Sequence, residues 1–342
     1  MVRDRILGAV HAIRDRRRRR FRRGQRRAAT ATAGASLLAA LFALGAGSGP
    51  AAAAPAGRPH AGRAGIPAFG HVFVVVEENL GYAGTLATPG FAALAKRYAL
   101  ATQYYGVSHP SLPNYLALTG GSTFGITSDC TDCYVRAPNL ASQLGAAKIS
   151  FGAYMEGAPG PCFLAQYGGN DYASKHDPFR YYDNVRSSRD LCSRIVPESR
   201  LPALLSGPGA KVPRFVWVTP DLCNDGHDCA ATVAASWLTR FVNQVTASAA
   251  WKQNGALFVT WDESDSDNSA LLASGKVAGS GGGGRVATFV IAPHVRRGLR
   301  VGIGYNHYSL LATIEDAFGL QLLGQAAHAT PLAAFFAQPA KG

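Results

Sequence analysis

The sequence predicts an α/β domain in which a mostly parallel sheet lies between two helical layers, and three observations carry that prediction. Five apolar runs of strand length, at 71–76, 149–154, 215–219, 256–261 and 286–292, alternate with helix-length segments at 88–100, 111–119, 138–147, 230–249 and 308–318. Runs such as Val72-Phe73-Val74-Val75-Val76 are continuous rather than alternating, as strands buried on both faces of a parallel sheet are. Once an N-terminal segment is set aside, roughly 270 to 280 residues remain, which suits one large core better than two small ones.

The chain has 342 residues and a formal net charge of +13, which at first sight suits a nucleic-acid binder. The charge is not spread along the chain. Residues 1–65 hold 14 Arg, Arg16 to Arg20 among them, against only Asp4 and Asp15, and downstream 20 basic residues face 19 acidic ones. A nucleic-acid partner is therefore not expected of the folded part.

Residues 1–54 have the order of an export signal: a basic region, an apolar stretch from 33 to 46, and small residues at Ala51 to Ala54. The apolar stretch is shorter than the roughly 18 to 20 residues a bilayer span needs, so cleavage is expected rather than anchoring. Arg18-Arg19-Arg20-Phe21 hints at twin-arginine export as an alternative to the general secretory route, and the product would be secreted or held at the cell surface. Residues 55–69 read as a flexible linker of Ala, Gly, Pro and Arg. One folded domain is expected from 70 to 340.

Cys130, Cys133, Cys162, Cys192, Cys223 and Cys229 all lie in that domain. In an exported chain an even count predicts disulfides, with two local pairs, Cys130 with Cys133 and Cys223 with Cys229, and Cys162 with Cys192 as the third. A zinc site begun by Cys130 and Cys133 is the alternative, disfavoured by the wide spacing of the second pair. The Gly279 to Gly284 run reads as a flexible loop tip, since no Lys-Ser/Thr and no helix start follows it.

Polar residues follow the strands directly: Glu77-Glu78-Asn79, Glu156, Asp221 and Asp262-Glu263. Ligands of open α/β sheets bind beyond the carboxyl ends of the strands, so these groups are expected to converge. Glu78, Asn79, Asp262 and Glu263 would suit a hard divalent cation whose identity the sequence leaves open. Taken singly, each is more often a loop-capping residue. In Ser108-His109-Pro110-Ser111-Leu112-Pro113-Asn114-Tyr115, Ser111 is expected at the N-cap of a helix that Gly120 ends. A hydroxyl there would stand beside free N–H groups able to hold a phosphoryl group, although most Ser-x-Pro serines only cap. His109, His176, His227 and His307 are candidates to bind phosphoryl oxygens or protonate a leaving group; His71 and His294 read as structural.

Taken together, HVFVVVEEN, SHPSLPNYLALTGG, KHDPF, TPDLCNDGHDC, FVTWDES and NHYSLLATIEDAFGL resemble the bacterial and fungal phosphoesterase family of acid phosphatases and phospholipases C, within the alkaline phosphatase superfamily. The likeness spans about 70 to 338. It implies an alkaline-phosphatase-like three-layer α/β/α sandwich, a phosphoesterase catalytic domain over 70–340, and a bound metal ion. It implies Ser111 as a nucleophile that is transiently phosphorylated, with Glu78, Asn79, Ser111, Asp262 and Glu263 on the metal. His176 and His227 would join Ser111 as catalytic residues, with Asn114, His109 and His307 binding substrate. The chain departs from the family at Leu80-Gly81-Tyr82-Ala83, near the metal's supporting shell, and at Ser264-Asp265-Ser266-Asp267, whose extra carboxylates read as loop residues.

The expected activity is metal-dependent hydrolysis of phosphoric esters through phosphoserine, in the manner of an acid phosphatase acting on monoesters. A phospholipase C acting on lipid head groups is the alternative, and an inactive exported binding protein on the same fold is a second. Membrane contact is expected only through an uncleaved signal or a phospholipid substrate. Sulfatase chemistry is disfavoured, because Tyr115 stands where that relative's motif needs Arg.

Overall fold

The structure is a computed structural model that describes residues 65–336; the expected export signal and the first part of the linker lie outside the described residues. Eleven strands are described: β1 (His71–Glu77), β2 (Ala99–Tyr105), β3 (Phe151–Met155), β4 (Ile195–Pro197), β5 (Phe215–Thr219), β6 (Gly255–Trp261), β7 (Ala270–Leu271), β8 (Val277–Ala278), β9 (Arg285–Ile291), β10 (Arg300–Val301) and β11 (Tyr305–Asn306). Nine of them form one sheet in the order β10-β2-β9-β6-β1-β5-β3-β4, with β11 also on β2. Pairing is parallel except where β9 runs against β2 and β6. The mostly parallel sheet is thus as expected, with one reversed strand inside it.

β1 lies at the centre, paired with β5 and β6, and all seven of its residues are buried. Covering both faces is what its unbroken apolar run requires. The helices of seven or more residues are α1 (Pro89–Arg97), α2 (Ser111–Gly120), α3 (Leu140–Ala146), α4 (Ala231–Ala247) and α5 (His307–Phe318). α1 packs with α4, and α2 packs with α3 and α5, giving the two outer layers. No helix among the described residues is long and apolar enough to cross a membrane.

The expected helix at 88–100 is too long. It ends at Arg97, and Ala99 to Tyr105 form β2 instead. The strand carries Thr102 and Gln103 within it and bulges between Ala101 and Tyr104, so no continuous apolar run marks it. Pairing with β9, β10 and β11 makes it a strand, which local periodicity could not show.

All six cysteines pair as expected: Cys130–Cys133, Cys162–Cys192 and Cys223–Cys229. The loop-tip reading of the glycine run needs correction in its second half. A Cβ at Gly283 would sit 2.4 Å from Ser108 O, and one at Gly284 would sit 2.1 Å from Asp267 O. Absence of side chains lets this backbone bond to Gly106 and Ser264, joining the segment before Ser111 to the one after Glu263.

α5 contains a carboxyl group remote from those segments. Glu315 is fully buried, accepting the Leu323 N–H at 3.1 and 3.3 Å, and burial is the main cause that pushes it up to about 9. Folding therefore takes up a proton once the unfolded glutamate, at about 4.3, has ionised. The favourable neutral form costs nothing below that pH, and stability falls as pH rises toward the folded value. Glu315→Gln keeps an acceptor for Leu323 and has no proton to take up. It is expected to leave the Tm nearly unchanged at pH 4 and to raise it by several degrees at pH 8. Thermal melts at the two pH values check this, and equal shifts at both would contradict it.

Candidate active site

The first residue past β1, Glu78, turns its carboxylate toward α2 and is 1% exposed. Oε2 accepts Ser111 Oγ at 3.1 Å and Asn79 Nδ2 at 3.3 Å; Oε1 accepts Tyr115 OH at 2.6 Å and faces His176 Nε2 at 3.0 Å. Ser111 and Tyr115 are four apart on one helix and so share a face. Tyr115 was missed as a site residue, and that i,i+4 spacing was the available signal.

The expected N-cap role of Ser111 is corrected. Pro110, in extended conformation, occupies the cap position, and Ser111 is the first helical residue. Its hydroxyl is directed at Glu78 instead of a backbone N–H. Nor is every N–H of the first turn free, since Leu112 N–H donates to Asp129 Oδ1 at 2.9 Å. At the other end Gly120 is still helical, and Gly121, with φ of 70°, forms the C-cap.

Asp262 and Glu263 follow β6. Asn79, in the left-handed region at φ 48°, donates its backbone N–H to Asp262 Oδ1 at 3.1 Å, while Asp262 Oδ2 is buried without a hydrogen-bond partner. Glu263 Oε2 lies 2.7 Å from His109 Nδ1 and 3.3 Å from Asn114 Nδ2. Burial, with the charge of Glu78 next, pushes both carboxyls upward. Three acids this close cannot all stay ionised without added positive charge.

His176 supplies part of that charge. A short 3-10 turn, Ser174–His176, carries it between Glu78 Oε1 and Asp225 Oδ2, the latter 3.2 Å from Nδ1, and its ring stacks on Tyr115. These are ion-pair contacts whose N–H directions are not aligned on the oxygens. Burial opposes the charged form of all three; for Glu78 and His176 their mutual attraction outweighs it, whereas for Asp225 burial prevails and raises it to about 6. Glu78 is held down at about 2 and His176 is raised to about 9. Glu78, His176 and Asp225 form a buried group whose ligand atoms lie within 4.8 Å of one another, close enough to hold a metal ion.

The other expected residues divide into two kinds. His227 is near the surface, with Nδ1 2.6 Å from Asp228 Oδ1, Nε2 3.2 Å from Lys175 Nζ, and its ring 5.8 Å from that of His176. His109 is 34% exposed at its side chain and also reaches Asp267 O at 3.3 Å. Asn114 and His307, by contrast, are fully buried. Asn114 accepts the N–H groups of Val107 and Ser108 and donates to Ser108 O and Pro110 O, which fixes the segment leading into Ser111. His307 Nε2 donates to Asp262 O at 2.6 Å and Nδ1 accepts Tyr104 OH at 3.3 Å; burial lowers it to about 4, so it is neutral.

Asp265 and Asp267 behave as loop residues. Asp265 accepts Gly81 N–H, and Asp267 accepts the N–H groups of Ser269 and Arg285. The partners that sequence reasoning missed, besides Tyr115, are Asp225, Lys175 and Asp129. Lys175 is next to His176, and Asp225 lies inside TPDLCNDGHDC, but only folding brings them to Glu78 and Asp129.

Residues 70–321 match the model of the Phosphoesterase family. A phosphatidylinositol-3-phosphatase of Mycobacterium tuberculosis is 34% identical over 279 residues, covering 78% of this chain and 83% of that protein. An acid phosphatase of Aspergillus fumigatus is 29% identical over 265 residues, 75% of this chain but 57% of the fungal protein, so this chain spans less than two thirds of that relative. Among solved structures, Ps i-CgsB aligns with a TM-score of 0.50 at 14% identity, over 78% of this chain and 75% of its own, a likeness of fold alone.

Proposed function

This chain belongs to the Phosphoesterase family, and on that premise we propose that it is a metal-dependent phosphomonoesterase of acid-phosphatase type working through a phosphoserine at Ser111. Hydrolysis of phosphoric esters follows from the family and from its phosphatase relatives. The observation that carries the finer reading is Ser111 Oγ, buried and hydrogen-bonded to an ionised Glu78 beside the acids after β6.

The donor set fits a divalent cation. Asp262 Oδ2 is a buried carboxylate oxygen with no hydrogen-bond partner, and burial, with the charge of Glu78 next, pushes Asp262 and Glu263 toward protonation. Glu78, Asn79, Ser111, Asp262 and Glu263 would hold the ion, and oxygen donors favour a hard metal. Such an ion, when bound, lowers the pKa of the serine hydroxyl and neutralises charge on the phosphoryl oxygens.

The protein's own groups do the rest. Ser111 Oγ attacks phosphorus in line as its proton passes along the existing hydrogen bond to Glu78 Oε2, the ester oxygen departs with a proton from His227, and water then attacks phosphorus, breaks the Oγ–P bond and releases phosphate as Ser111 takes its proton back. His227, exposed and bonded to Asp228, supplies the proton for the departing oxygen in this reading. His176 keeps Glu78 ionised, Tyr115 orients it, and His307 and Asn114 act as positioning residues for Asp262 and Glu263. The three disulfides suit an oxidising compartment, which supports the reading of 1–54 as an export signal.

A lipid-borne monoester is the second reading, favoured by the identity to the mycobacterial phosphatidylinositol-3-phosphatase. The test compares p-nitrophenyl phosphate, bis-p-nitrophenyl phosphate, phosphatidylinositol 3-phosphate and phosphatidylcholine vesicles, each with and without chelator. The monoesters are expected to turn over and the diesters not, and chelation is expected to stop turnover until a divalent ion is restored. Preference for the diesters would replace this reading with phospholipase C. Full activity in chelator, with no metal in the purified protein, would remove the cofactor.

A further inference from the structure

Beside the nucleophile, one carboxylate already occupies two anion-binding donors. Asp129 Oδ1 accepts the N–H of Leu112, the residue after Ser111, and Oδ2 accepts Lys175 Nζ at 3.0 Å. The Lys175 and Asp129 side chains are 21% and 28% exposed, so the pair is reached from solvent. Lys175 adjoins His176, and its charge acts on Glu78 and Asp262 as well as on Asp129. These donors, an ammonium and a backbone N–H next to Ser111, are those that the non-bridging oxygens of a phosphoryl group on Ser111 Oγ would seek.

We propose that Lys175 is a phosphoryl-binding residue of this enzyme and that Asp129 is its resident counter-anion, displaced from Lys175 and Leu112 when a phosphoryl group enters. The inference rests on the reading of Ser111 as the nucleophile. A carboxylate left among the donors would repel a phosphate dianion at close range, so its departure from them is part of binding. The fold makes that movement local. Asp129 sits on a stretch between α2 and α3 without helix or strand, tethered by the adjacent Cys130–Cys133 disulfide, so its side chain can leave without disturbing regular structure. His227 completes the arrangement. Asp228 faces its Nδ1, which leaves Nε2 as the acceptor for Lys175, and the lysine's turn toward a phosphoryl group releases that nitrogen to take up the proton it then gives the departing oxygen.

The device also sets which charge the site admits. A monoester dianion offers enough charge to replace Asp129 on Lys175, whereas a diester offers one negative charge and competes poorly.

Inorganic phosphate is the probe, titrated calorimetrically into the metal-loaded full chain. Asp129→Asn keeps an oxygen for the Leu112 N–H but removes the competing charge, and is expected to tighten phosphate binding about tenfold, or about 1.4 kcal/mol. Lys175→Met is expected to weaken it about tenfold or more, and Lys175→Arg to stay close to wild type. In the Lys175→Met background, Asp129→Asn should lose most of its gain. Weaker phosphate binding by Asp129→Asn would overturn the proposal, because the carboxylate would then be positioning Lys175 rather than competing for it. Unchanged binding by both Lys175→Met and Lys175→Arg would overturn it as well. Melting curves establish that each variant is folded, and Lys175→Gln replaces Met should that variant not fold. Because phosphate binding needs no turnover, failure here leaves the nucleophile standing, and failure of the nucleophile appears separately as turnover by Ser111→Ala.

Discussion

Ser111→Ala is expected to reduce turnover of a chromogenic phosphate monoester by about ten-thousandfold or more, the scale seen when a covalent nucleophile is deleted. The fold should survive. Alanine is a good helix former at the first position of α2, and the loss is one hydrogen bond to a charged acceptor, worth about 1.5–3 kcal/mol. The Tm should therefore fall by several degrees without loss of cooperativity. Two measurements separate chemistry from collapse. Intact mass after a rapid acid quench should show wild-type enzyme carrying one phosphoryl group and the variant carrying none, and phosphate should still bind the variant. Hydrolysis by Ser111→Ala at the wild-type rate would remove Ser111 from the mechanism.

What sequence alone said of Ser111 was half right, and the reason is physical. Its residue type and neighbours fit a helix start, and it is at a helix start. Its partner is 33 residues away, however, and nothing local distinguishes a hydroxyl bound to its own backbone from one bound to Glu78. The carboxylates past β1 and β6 were legible because burial on both faces writes an unbroken apolar run, and a run that stops at an acid marks the strand's carboxyl end. β2 was not legible, for the complementary reason. With Thr102 and Gln103 part-buried, it lacks that run and owes its extended form to its partners. Asn114 and His307 were expected to bind substrate; in the fold both are fully buried and bonded to protein groups. Their positions in the motifs were informative, but whether a side chain meets solvent or carbonyl groups depends on packing that no motif spacing encodes.

His176 is where the sequence signal and the electrostatics join most closely. In metal-free protein, His176→Gln is expected to lower the Tm by roughly 10 °C, because a buried pair broken from one side costs about 3–5 kcal/mol. The cost is the stranded charge of Glu78 more than the lost contact, since glutamine nearly fills the space but carries no proton to share. The pH dependence identifies the source. His176 is raised to about 9 in the folded protein from about 6.5 unfolded, so its contribution is complete below 6.5 and disappears as pH climbs through 9. Glu78 is held down at about 2 from about 4.3, so its contribution is complete above 4.3 and disappears as pH falls through 2. The gap between wild type and variant should therefore be widest between about pH 4.3 and 6.5 and should close on both sides. A gap of constant size from pH 5 to pH 10 would mean that packing against Tyr115, not the imidazolium, is what His176 contributes. A bound divalent ion would neutralise Glu78 by another route, so restoring metal should narrow the same gap at pH 6. That last comparison tests, in stability rather than in rate, whether the acid that receives the Ser111 proton bond is also the acid that meets the metal.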